Sequence, residues 1–279
     1  MTEPGWGSEE LDLPAYLARI GFEEPVDPDH PTLEVLQEIH RLHVSIIPFE
    51  NIDILLGRPV HLDIGRLQRK LVHQRRGGYC FEQNLLFAAA LEKLGYSFTG
   101  LAARVRMGTG NRFRARTHML LRVEVAGESW VTDVGFGSEG LLNAVPLRAG
   151  AEPYRAHGGR TYRLKSEELG VRVLQSLRPE GWSDLYAFTH EPYWPTDYKV
   201  ISHYTSTHRD SPFTGRIVLQ RTTHDRRYAL VGRELTTGYP DGTAERGEIP
   251  VAEIPKILSE IFLIELSDTE KKSLLSLLD

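Results

Sequence analysis

The sequence contains one cysteine, Cys80, in 279 residues. A lone cysteine makes no intramolecular disulfide and is a poor metal site, so it is either an inert buried residue or a nucleophile. Two glycines precede it, and the apolar residues after it have the spacing of an amphipathic helix: Phe81, Leu85, Ala88, Leu91 and Leu94. With Gly95 as the stop, Cys80 is predicted in the first turn of this helix. Unpaired N–H groups and the helix dipole would favour a thiolate there.

A nucleophilic cysteine needs a base, and a third group commonly holds that base. Among the 11 histidines, His118 begins an apolar strand pattern that turns at Ala126-Gly127 and returns to Asp133. A two-residue turn would put His118 and Asp133 on one sheet face at diagonal positions, about 7–8 Å apart between backbones. Asp133 would then accept the Nδ1–H of His118, and Nε2 would face the thiol. The alternative is an exposed His–Asp pair on a solvated strand face.

We predict no metal site and no dinucleotide site. His40 and His43 lie three residues apart on one predicted helix face, but no further ligand is near them in the sequence. Residues 135–140 match the spacing GxGxxG, yet no long helix follows and no βαβ unit surrounds them. This segment is instead expected to let the backbone approach a bound molecule closely.

Composition excludes several classes of function. The net charge of −5 and the short basic cluster of Arg112, Arg114 and Arg116 give no support for nucleic-acid binding. The longest strongly apolar run, residues 85–91, is far shorter than a membrane span. The first 30 residues lack the basic and apolar regions of a signal peptide. Together with one unpaired thiol, this predicts a cytoplasmic protein.

The elements that position these residues change in kind along the chain. Residues up to 94 have helical patterns: Asp12 caps a helix that stops at Gly21, and Thr32 opens a second that ends at Pro48. From residue 96 the chain consists of short β-rich runs at 100–106, 117–125, 129–134, 161–164 and 171–176. Such runs are typical of an antiparallel barrel or sandwich.

The last third of the chain has a mixed pattern. A connection rich in Pro and aromatic residues is predicted at 191–195, and strands are predicted at 217–220 and 228–232. Two helices follow, and Ser267 with Glu270 forms a capping box for the second.

Five segments in order resemble the arylamine N-acetyltransferases. They are residues 47–51 (IPFEN) with His43 upstream, 76–82 (RGGYCFE), 117–118 (TH), 134–137 (VGFG) and 204–208 (YTSTH) with Ser211 and Phe213 downstream. The intervals of 38 residues (80 to 118) and 15 residues (118 to 133) are the family's usual spacing in its bacterial members. The similarity runs from about residue 12 to 235.

The resemblance implies an α+β fold with an N-terminal helical bundle, a central antiparallel β-barrel and a C-terminal α/β lid. The corresponding segments are residues 1–94, 95–203 and 204–279. It also implies a Cys-His-Asp core like that of cysteine proteases, formed by Cys80, His118 and Asp133. This triad would transfer an acetyl group from acetyl-coenzyme A to arylamines or arylhydrazines by a ping-pong mechanism.

Further site residues follow from the resemblance. The expected coenzyme contacts are Thr117, Gly135, Gly137, Ser138 and Phe213. The expected lining of an apolar acceptor pocket is Phe49, Phe136 and Phe213, with plain core packing as the alternative. No metal and no prosthetic group is implied. Two features depart from the family pattern: His203 stands where many relatives carry Trp, and the tail beyond about residue 238 shows little similarity.

Two other functions fit parts of the pattern. Transglutaminase-like and papain-like enzymes also use Cys, His and Asp or Asn, and they would cleave or exchange amide bonds. The other alternative is a small-molecule binding module in which the cysteine has no role. For such a module, the Cys80→Ala variant would behave like the native protein in every biochemical assay. The Arg76-Gly77-Gly78 run and the Phe136 loop argue against the amide-cleaving enzymes.

We interpret Arg76 as a support of the glycine turn, with a phosphate contact as the alternative.

Overall fold

The computed structural model describes residues 5–108, 113–137, 139–148, 152–156 and 159–278. Within these residues helices combine with two antiparallel sheets, which confirms the predicted α+β class. The helices are α1 (Leu13–Ile20), α2 (Leu33–Ile46), α3 (Ile52–Leu55), α4 (Ile64–Leu67), α5 (Cys80–Lys93), α6 (Pro195–Thr207), α7 (Ile254–Glu260) and α8 (Asp268–Leu278). In the described ranges no helix is long and apolar enough to cross a membrane.

The first two helices begin where the sequence predicts. Asp12 caps α1 by accepting a hydrogen bond from the Ala15 N–H at 3.0 Å. Gly21 ends this helix with φ of 78°, a left-handed conformation that suits glycine. Thr32 caps α2 by accepting from the Val35 N–H at 3.3 Å. Both helices share one hydrophobic core with α5.

Helix α5 is buried on all sides, whereas the sequence predicts burial of one face. Every residue from 80 to 91 is buried, including the polar Glu82, Gln83 and Asn84. A surrounded helix has no solvated face, so its polar side chains need partners inside the protein. Gly95 follows the helix with φ of 77° and lies against the carbonyl group of Pro28. It therefore serves as the predicted stop.

The central strands form a nearly closed barrel, as predicted. The strands of the molecule are β1 (Phe49–Glu50), β2 (Ser97–Val105), β3 (His118–Val125), β4 (Glu128–Thr132), β5 (Val145–Pro146), β6 (Tyr154–Arg155), β7 (Thr161–Ser166), β8 (Arg172–Arg178), β9 (Gly181–Phe188), β10 (Val218–Thr222), β11 (Arg227–Val231), β12 (Glu234–Gly238) and β13 (Ala244–Glu248). Eight of them pair antiparallel in the order β5-β4-β3-β2-β9-β8-β7-β6 around an apolar interior. The β3–β4 hairpin has Val125 opposite Glu128, which confirms the predicted register.

The second sheet joins distant parts of the chain. β1 pairs with β10, with Phe49 opposite Gln220, and the sheet order is β1-β10-β11-β12-β13. Residues of this sheet, α7 and α8 share a separate apolar core. At the start of α8 the Ser267 N–H donates to Glu270 Oε2 at 2.9 Å, and the Glu270 N–H donates to Ser267 Oγ at 3.4 Å. This is the predicted capping box.

Some elements differ from the sequence prediction. The stretch at 191–195 is not only a connection, because Pro195 is the first residue of α6 and Asp197 accepts from the Trp194 N–H at 2.8 Å. Strands β9, β12 and β13 are missing from the prediction, since their Gly, Asp and Glu residues have low strand preference. Helix α6 runs across residue 203, where the second predicted segment ends. The division into three segments stays a prediction.

Candidate active site

Cys80 is the first residue of α5, as the sequence predicts. Its residue surface is only 4% exposed. Immediately before it, the Tyr79 N–H donates to Glu82 Oε2 at 3.0 Å, which satisfies one unpaired donor at the helix start. The Sγ atom of Cys80 lies 3.8 Å from the carbonyl oxygen of Thr117, so the thiol reaches the segment that leads into β3.

The glycine turn before Cys80 is held from two sides. A Cβ atom at Gly77 would lie 2.0 Å from the carbonyl oxygen of Pro48, so only glycine fits there. Arg76 donates two hydrogen bonds to Glu50 Oε1, at 3.1 Å from Nε and 2.7 Å from Nη2. Arg76 and Glu50 are both buried. The contacts support the interpretation of Arg76 as a structural support of this turn.

His118 and Asp133 form a buried pair beside this helix. His118 Nε2 lies 2.6 Å from Asp133 Oδ2, and both residues are almost inaccessible to solvent. The contact excludes the alternative of an exposed pair on a solvated strand face. The prediction that Asp133 binds Nδ1 is wrong, because the ring is turned so that Nε2 meets the carboxylate. Nδ1 is therefore the nitrogen left to exchange a proton with a thiol or a substrate.

Asn84 holds the carboxylate of Asp133, a role that the sequence reasoning did not assign. Its Nδ2 donates to Asp133 Oδ1 at 3.1 Å and to the carbonyl oxygen of Met119 at 2.8 Å. Its Oδ1 accepts from the Val134 N–H at 3.1 Å. Asn84 stands four residues after Cys80, and this i, i+4 spacing on a helix is a signal that could have identified it.

The backbone around Asp133 is fixed as well. The Gly135 N–H donates to Asp133 Oδ1 at 3.0 Å, and the Asp133 N–H donates to His40 Nε2 at 3.1 Å. A Cβ atom at Gly135 would lie 2.7 Å from the Cα of Cys80, so the glycine permits close approach of this segment to α5. His40 thus supports the aspartate, and among the described residues no cluster suited to a metal ion is present.

A cavity of about 680 Å³ opens onto this arrangement. It is lined by Cys80 and His118 and by most of the residues expected to contact coenzyme or acceptor: Phe49, Thr117, Gly135, Phe136 and Phe213. The rings of Phe49 and Phe213 are 5.7 Å apart, and the ring of Phe136 is 5.1 Å from the imidazole of His118. The cavity is therefore apolar and aromatic around the reactive groups.

Two expected coenzyme residues do not join this lining. Gly137 has φ of 91° and faces Gln220, whose Oε1 lies 1.5 Å from the position of an added Cβ. It lines a small neighbouring cleft instead. Ser138 lies outside the described residues. His203, where the sequence departs from the family, is not among the residues that line the cavity, whereas its neighbour Tyr204 is.

Several lining residues were not expected from the sequence. They are Val105, Met107, Phe113, Arg114, Ala115, Tyr204, Thr205, Asp210, Ser211, Pro212, Val218 and Gln220. Tyr204 and Thr205 belong to α6, a helix missing from the prediction, and Val218 and Gln220 belong to β10. Sequence periodicity cannot bring these elements together, because their contacts depend on how the barrel and the second sheet pack.

The environment of the thiol opposes ionisation. Burial raises the pKa of the Cys80 thiol, and the negative charge of Asp133 raises it further. The N–H groups of Met119 and Phe81 lower this pKa, but desolvation outweighs them. The N–H group of Phe81 at the helix start thus favours the thiolate, whereas burial and the charge of Asp133 oppose it. A thiolate here needs a neighbour that becomes positively charged, and the imidazole of His118 lines the same cavity.

Comparisons with known proteins identify the family. A family model described as N-acetyltransferase matches residues 32–271. The arylamine N-acetyltransferase of Mycobacterium tuberculosis is 38% identical over 270 residues, which cover 95% of this chain and 93% of that protein. The crystal structure of the Nocardia farcinica arylamine N-acetyltransferase matches with a TM-score of 0.91 and 44% identity, covering 98% of this chain and 97% of that one.

A third comparison concerns the acyl donor. The structure of the Mycobacterium marinum arylamine N-acetyltransferase in complex with CoA matches with a TM-score of 0.88 and 33% identity, covering 96% of this chain and 98% of that one. These matches confirm the resemblance found in the sequence motifs. The chain belongs to the arylamine N-acetyltransferase family of acetyl-coenzyme-A-dependent acyltransferases.

Proposed function

We propose that this protein transfers an acetyl group from acetyl-coenzyme A to the nitrogen of arylamines or arylhydrazines by a ping-pong mechanism through acetyl-Cys80. The observation that carries the proposal is the shared cavity of Cys80 and His118, with His118 Nε2 held 2.6 Å from Asp133. This arrangement supplies a nucleophile, a base and a group that fixes the base.

In the first half-reaction Cys80 Sγ attacks the carbonyl carbon of the acetyl thioester. The thiol proton passes to Nδ1 of His118, and Asp133 stabilises the imidazolium that forms. The bond between the acetyl carbon and the coenzyme sulfur breaks, and the coenzyme leaves as a thiol after receiving the proton. The N–H groups of Phe81 and Met119, which lower the pKa of the Cys80 thiol, are candidates for stabilising the oxyanion. Such donors are worth about 3–4 kcal/mol each in well-studied enzymes.

In the second half-reaction an amine nitrogen attacks the carbonyl carbon of acetyl-Cys80. His118 removes a proton from the nitrogen, the carbon–sulfur bond breaks, and Cys80 is restored. Arylamines suit this step because they are largely unprotonated near neutral pH, whereas aliphatic amines are mostly charged. The aromatic lining by Phe49, Phe136 and Phe213 favours the same class of acceptor.

The test is the mass of the intact protein after brief exposure to acetyl-coenzyme A. We expect the native chain to gain one acetyl group, Cys80→Ala to gain none, and an arylamine to remove the group from the native chain. Cys80 is the only thiol, so the variant assigns the site without ambiguity. No gain, or equal gain in both proteins, contradicts the acetyl-enzyme. Amide substrates would then test the transglutaminase-like alternative.

A further inference from the structure

A cluster of charged side chains lies beside the start of α5. It joins residues of β1, α3, α5 and α8 to the segments before and after α4, and none of them enters the mechanism proposed above. The carboxylates are Glu50, Asp53, Glu82 and Glu270, and the cations are Arg58, Lys70 and Arg76. Four carboxylates thus share three cations, so the loss of one cation affects the carboxylates unequally.

Glu82 is the carboxylate nearest to Cys80 in the chain, two residues after it in the first turn of α5. It is 3% exposed. Its Oε2 accepts from the Tyr79 N–H at 3.0 Å, and its Oε1 accepts from Lys70 Nζ at 2.8 Å. An added Cβ atom at Gly78 would lie 2.8 Å from Oε2, so the carboxylate also packs against the glycine turn. Glu82 therefore contacts the backbone that leads directly into the nucleophile.

Lys70 is the one cation within 4.0 Å of Glu82 in the described part of the chain. Its Nζ also lies 2.7 Å from Asp53 Oδ2 and 3.9 Å from Glu50 Oε1. Those two carboxylates have a second partner, because Arg76 Nη2 lies 2.7 Å from Glu50 Oε1 and 3.5 Å from Asp53 Oδ1. Of the three carboxylates around Lys70, only Glu82 would therefore lose its counter-ion with this lysine.

The charge of Glu82 matters to the thiol of Cys80. Burial and the charge of Asp133 raise the pKa of this thiol, the negative charge of Glu82 adds to the effect, and His118 lines the same cavity. Without Lys70, the Glu82 carboxylate has two options. It stays charged and opposes the thiolate, or it takes up a proton and binds the N–H at the helix start more weakly. Both consequences slow reactions at the thiol.

We propose that Lys70 is a positioning residue for the nucleophile: it holds Glu82 as a paired carboxylate, which fixes the start of α5 and spares Cys80 an uncompensated negative charge. The assignment rests on the function proposed above, in which Cys80 is the nucleophile. A purely structural ion pair would stabilise the fold but would leave the reactivity of Cys80 in the folded protein unchanged. The two roles therefore differ in a measurable property.

The experiment measures alkylation of Cys80 by iodoacetamide, which requires no acetyl transfer. In Lys70→Met we expect the rate at pH 7 to fall about tenfold, the effect of about one unit in the pKa of the thiol, and the pH dependence to move to higher pH. Lys70→Arg keeps the charge and should recover most of the native rate. Lys165→Met is the control, because Lys165 pairs with Glu167 at 3.5 Å but is 53% exposed, and it should react as native protein.

A double-mutant cycle tests whether Lys70 acts through Glu82. Glu82→Gln keeps an oxygen that can accept from the Tyr79 N–H, and its amide needs no counter-ion. In this background Lys70→Met should change the alkylation rate by less than about threefold. Equal losses in the two backgrounds would overturn the proposal. A native alkylation rate and pH dependence in folded Lys70→Met would overturn it as well.

Two further measurements keep the outcomes separate. Urea unfolding identifies the variants that are folded, and Lys70→Gln replaces Lys70→Met in the cycle if the latter does not fold. The mass gained from acetyl-coenzyme A should follow the same order among the variants as alkylation does. Failure of native protein to gain an acetyl group contradicts the proposed function, whereas the alkylation cycle still decides the role of Lys70.

Discussion

At the scale of single residues, the buried thiol of Cys80 depends on His118. Because burial raises the pKa of the thiol, we expect His118→Gln to leave it protonated at neutral pH. Alkylation by iodoacetamide at pH 7 should fall about 100-fold or more relative to native protein, and it should recover as the pH is raised. The single cysteine makes the mass change specific.

The control for this alkylation experiment is His30→Gln. The side chain of His30 is 83% exposed and pairs with the nearby Asp27, so this variant should be alkylated at the native rate. Equal alkylation of His118→Gln and native protein at pH 7 would show that the thiol is activated without His118.

A second prediction concerns Asn84, which we regard as a positioning residue. Asn84→Ala removes the donor to Asp133 Oδ1 and leaves the Val134 N–H without its acceptor. We expect kcat to fall about 10- to 100-fold with a smaller change in KM, because the orientation of His118 is loosened. Alkylation of Cys80 should require a higher pH in Asn84→Ala than in native protein. It should not do so in Gln37→Ala, whose Nε2 donates to the carbonyl oxygen of Ala144 at 3.0 Å. A loss of stability without this shift would contradict the assigned role.

The sequence predicts which residues form the site better than it predicts their atomic contacts. The predicted register of the β3–β4 hairpin puts His118 and Asp133 on one face of the sheet. In the structure this register is present, and His118 Nε2 contacts Asp133 Oδ2. The choice between Nδ1 and Nε2 depends on a side-chain rotation that residue spacing does not encode. Asn84 and His40 reach Asp133 from two different helices. The spacing from Cys80 points to Asn84, but the contact of either residue with Asp133 depends on tertiary packing.

At the scale of elements, the turn before α5 determines where Cys80 lies. We expect Gly77→Ala to destabilise the protein by about 2 kcal/mol or more, because the added Cβ would lie 2.0 Å from the backbone oxygen of Pro48. The turn must move to relieve this clash, so activity should fall as well. Gly247→Ala is the control, since nothing lies within 4 Å of an added Cβ there. Urea unfolding curves of both variants provide the measurement, and equal stability would contradict the expected clash.

Elements with strong local signals were predictable, and those defined by packing were not. The caps of α1, α2 and α8 and the β3–β4 turn follow from local chemistry, and the structure has them at the predicted residues. Helix α6 was missed because its start is rich in Pro and aromatic residues. Its buried face is formed by Tyr198, Ser202 and Thr205, which show little apolar periodicity. Tertiary contacts therefore outweigh local preference for this helix.

At the scale of the whole molecule, contacts distant in sequence join the helical part to the second sheet. β1 pairs with β10, and Arg221 donates to the carbonyl oxygens of Ser45 at 2.8 Å and Ile261 at 2.9 Å. Glu270 in α8 also accepts a hydrogen bond from Arg58 at 2.6 Å. Phe49 and Gln220, which are paired between β1 and β10, both line the Cys80 cavity. We therefore infer that the site is assembled only when these parts are folded together.

The stability of this assembly should depend on pH through two buried histidines. Burial lowers the pKa of His40 to about 4 and that of His43 to about 3. Neutral His43 accepts a hydrogen bond at Nδ1 from the Tyr16 hydroxyl at 2.8 Å and donates from Nε2 to Gln83 Oε1 at 2.7 Å. Because the folded pKa values lie below the unfolded value of about 6.5, stability is present above pH 6.5 and is lost as the pH falls.

We expect each of the two histidines to reduce the free energy of unfolding by about 2 kcal/mol between pH 7 and pH 5. Carboxylates ionise mostly below this window, so the histidines should dominate the slope. His43→Gln should remove about half of the pH dependence measured by urea unfolding, whatever its effect on stability at pH 7. His30→Gln should leave the slope unchanged, because its side chain is exposed in the folded protein. The same slope in native protein and His43→Gln would mean that His43 titrates alike when folded and unfolded, and burial would then not hold it neutral.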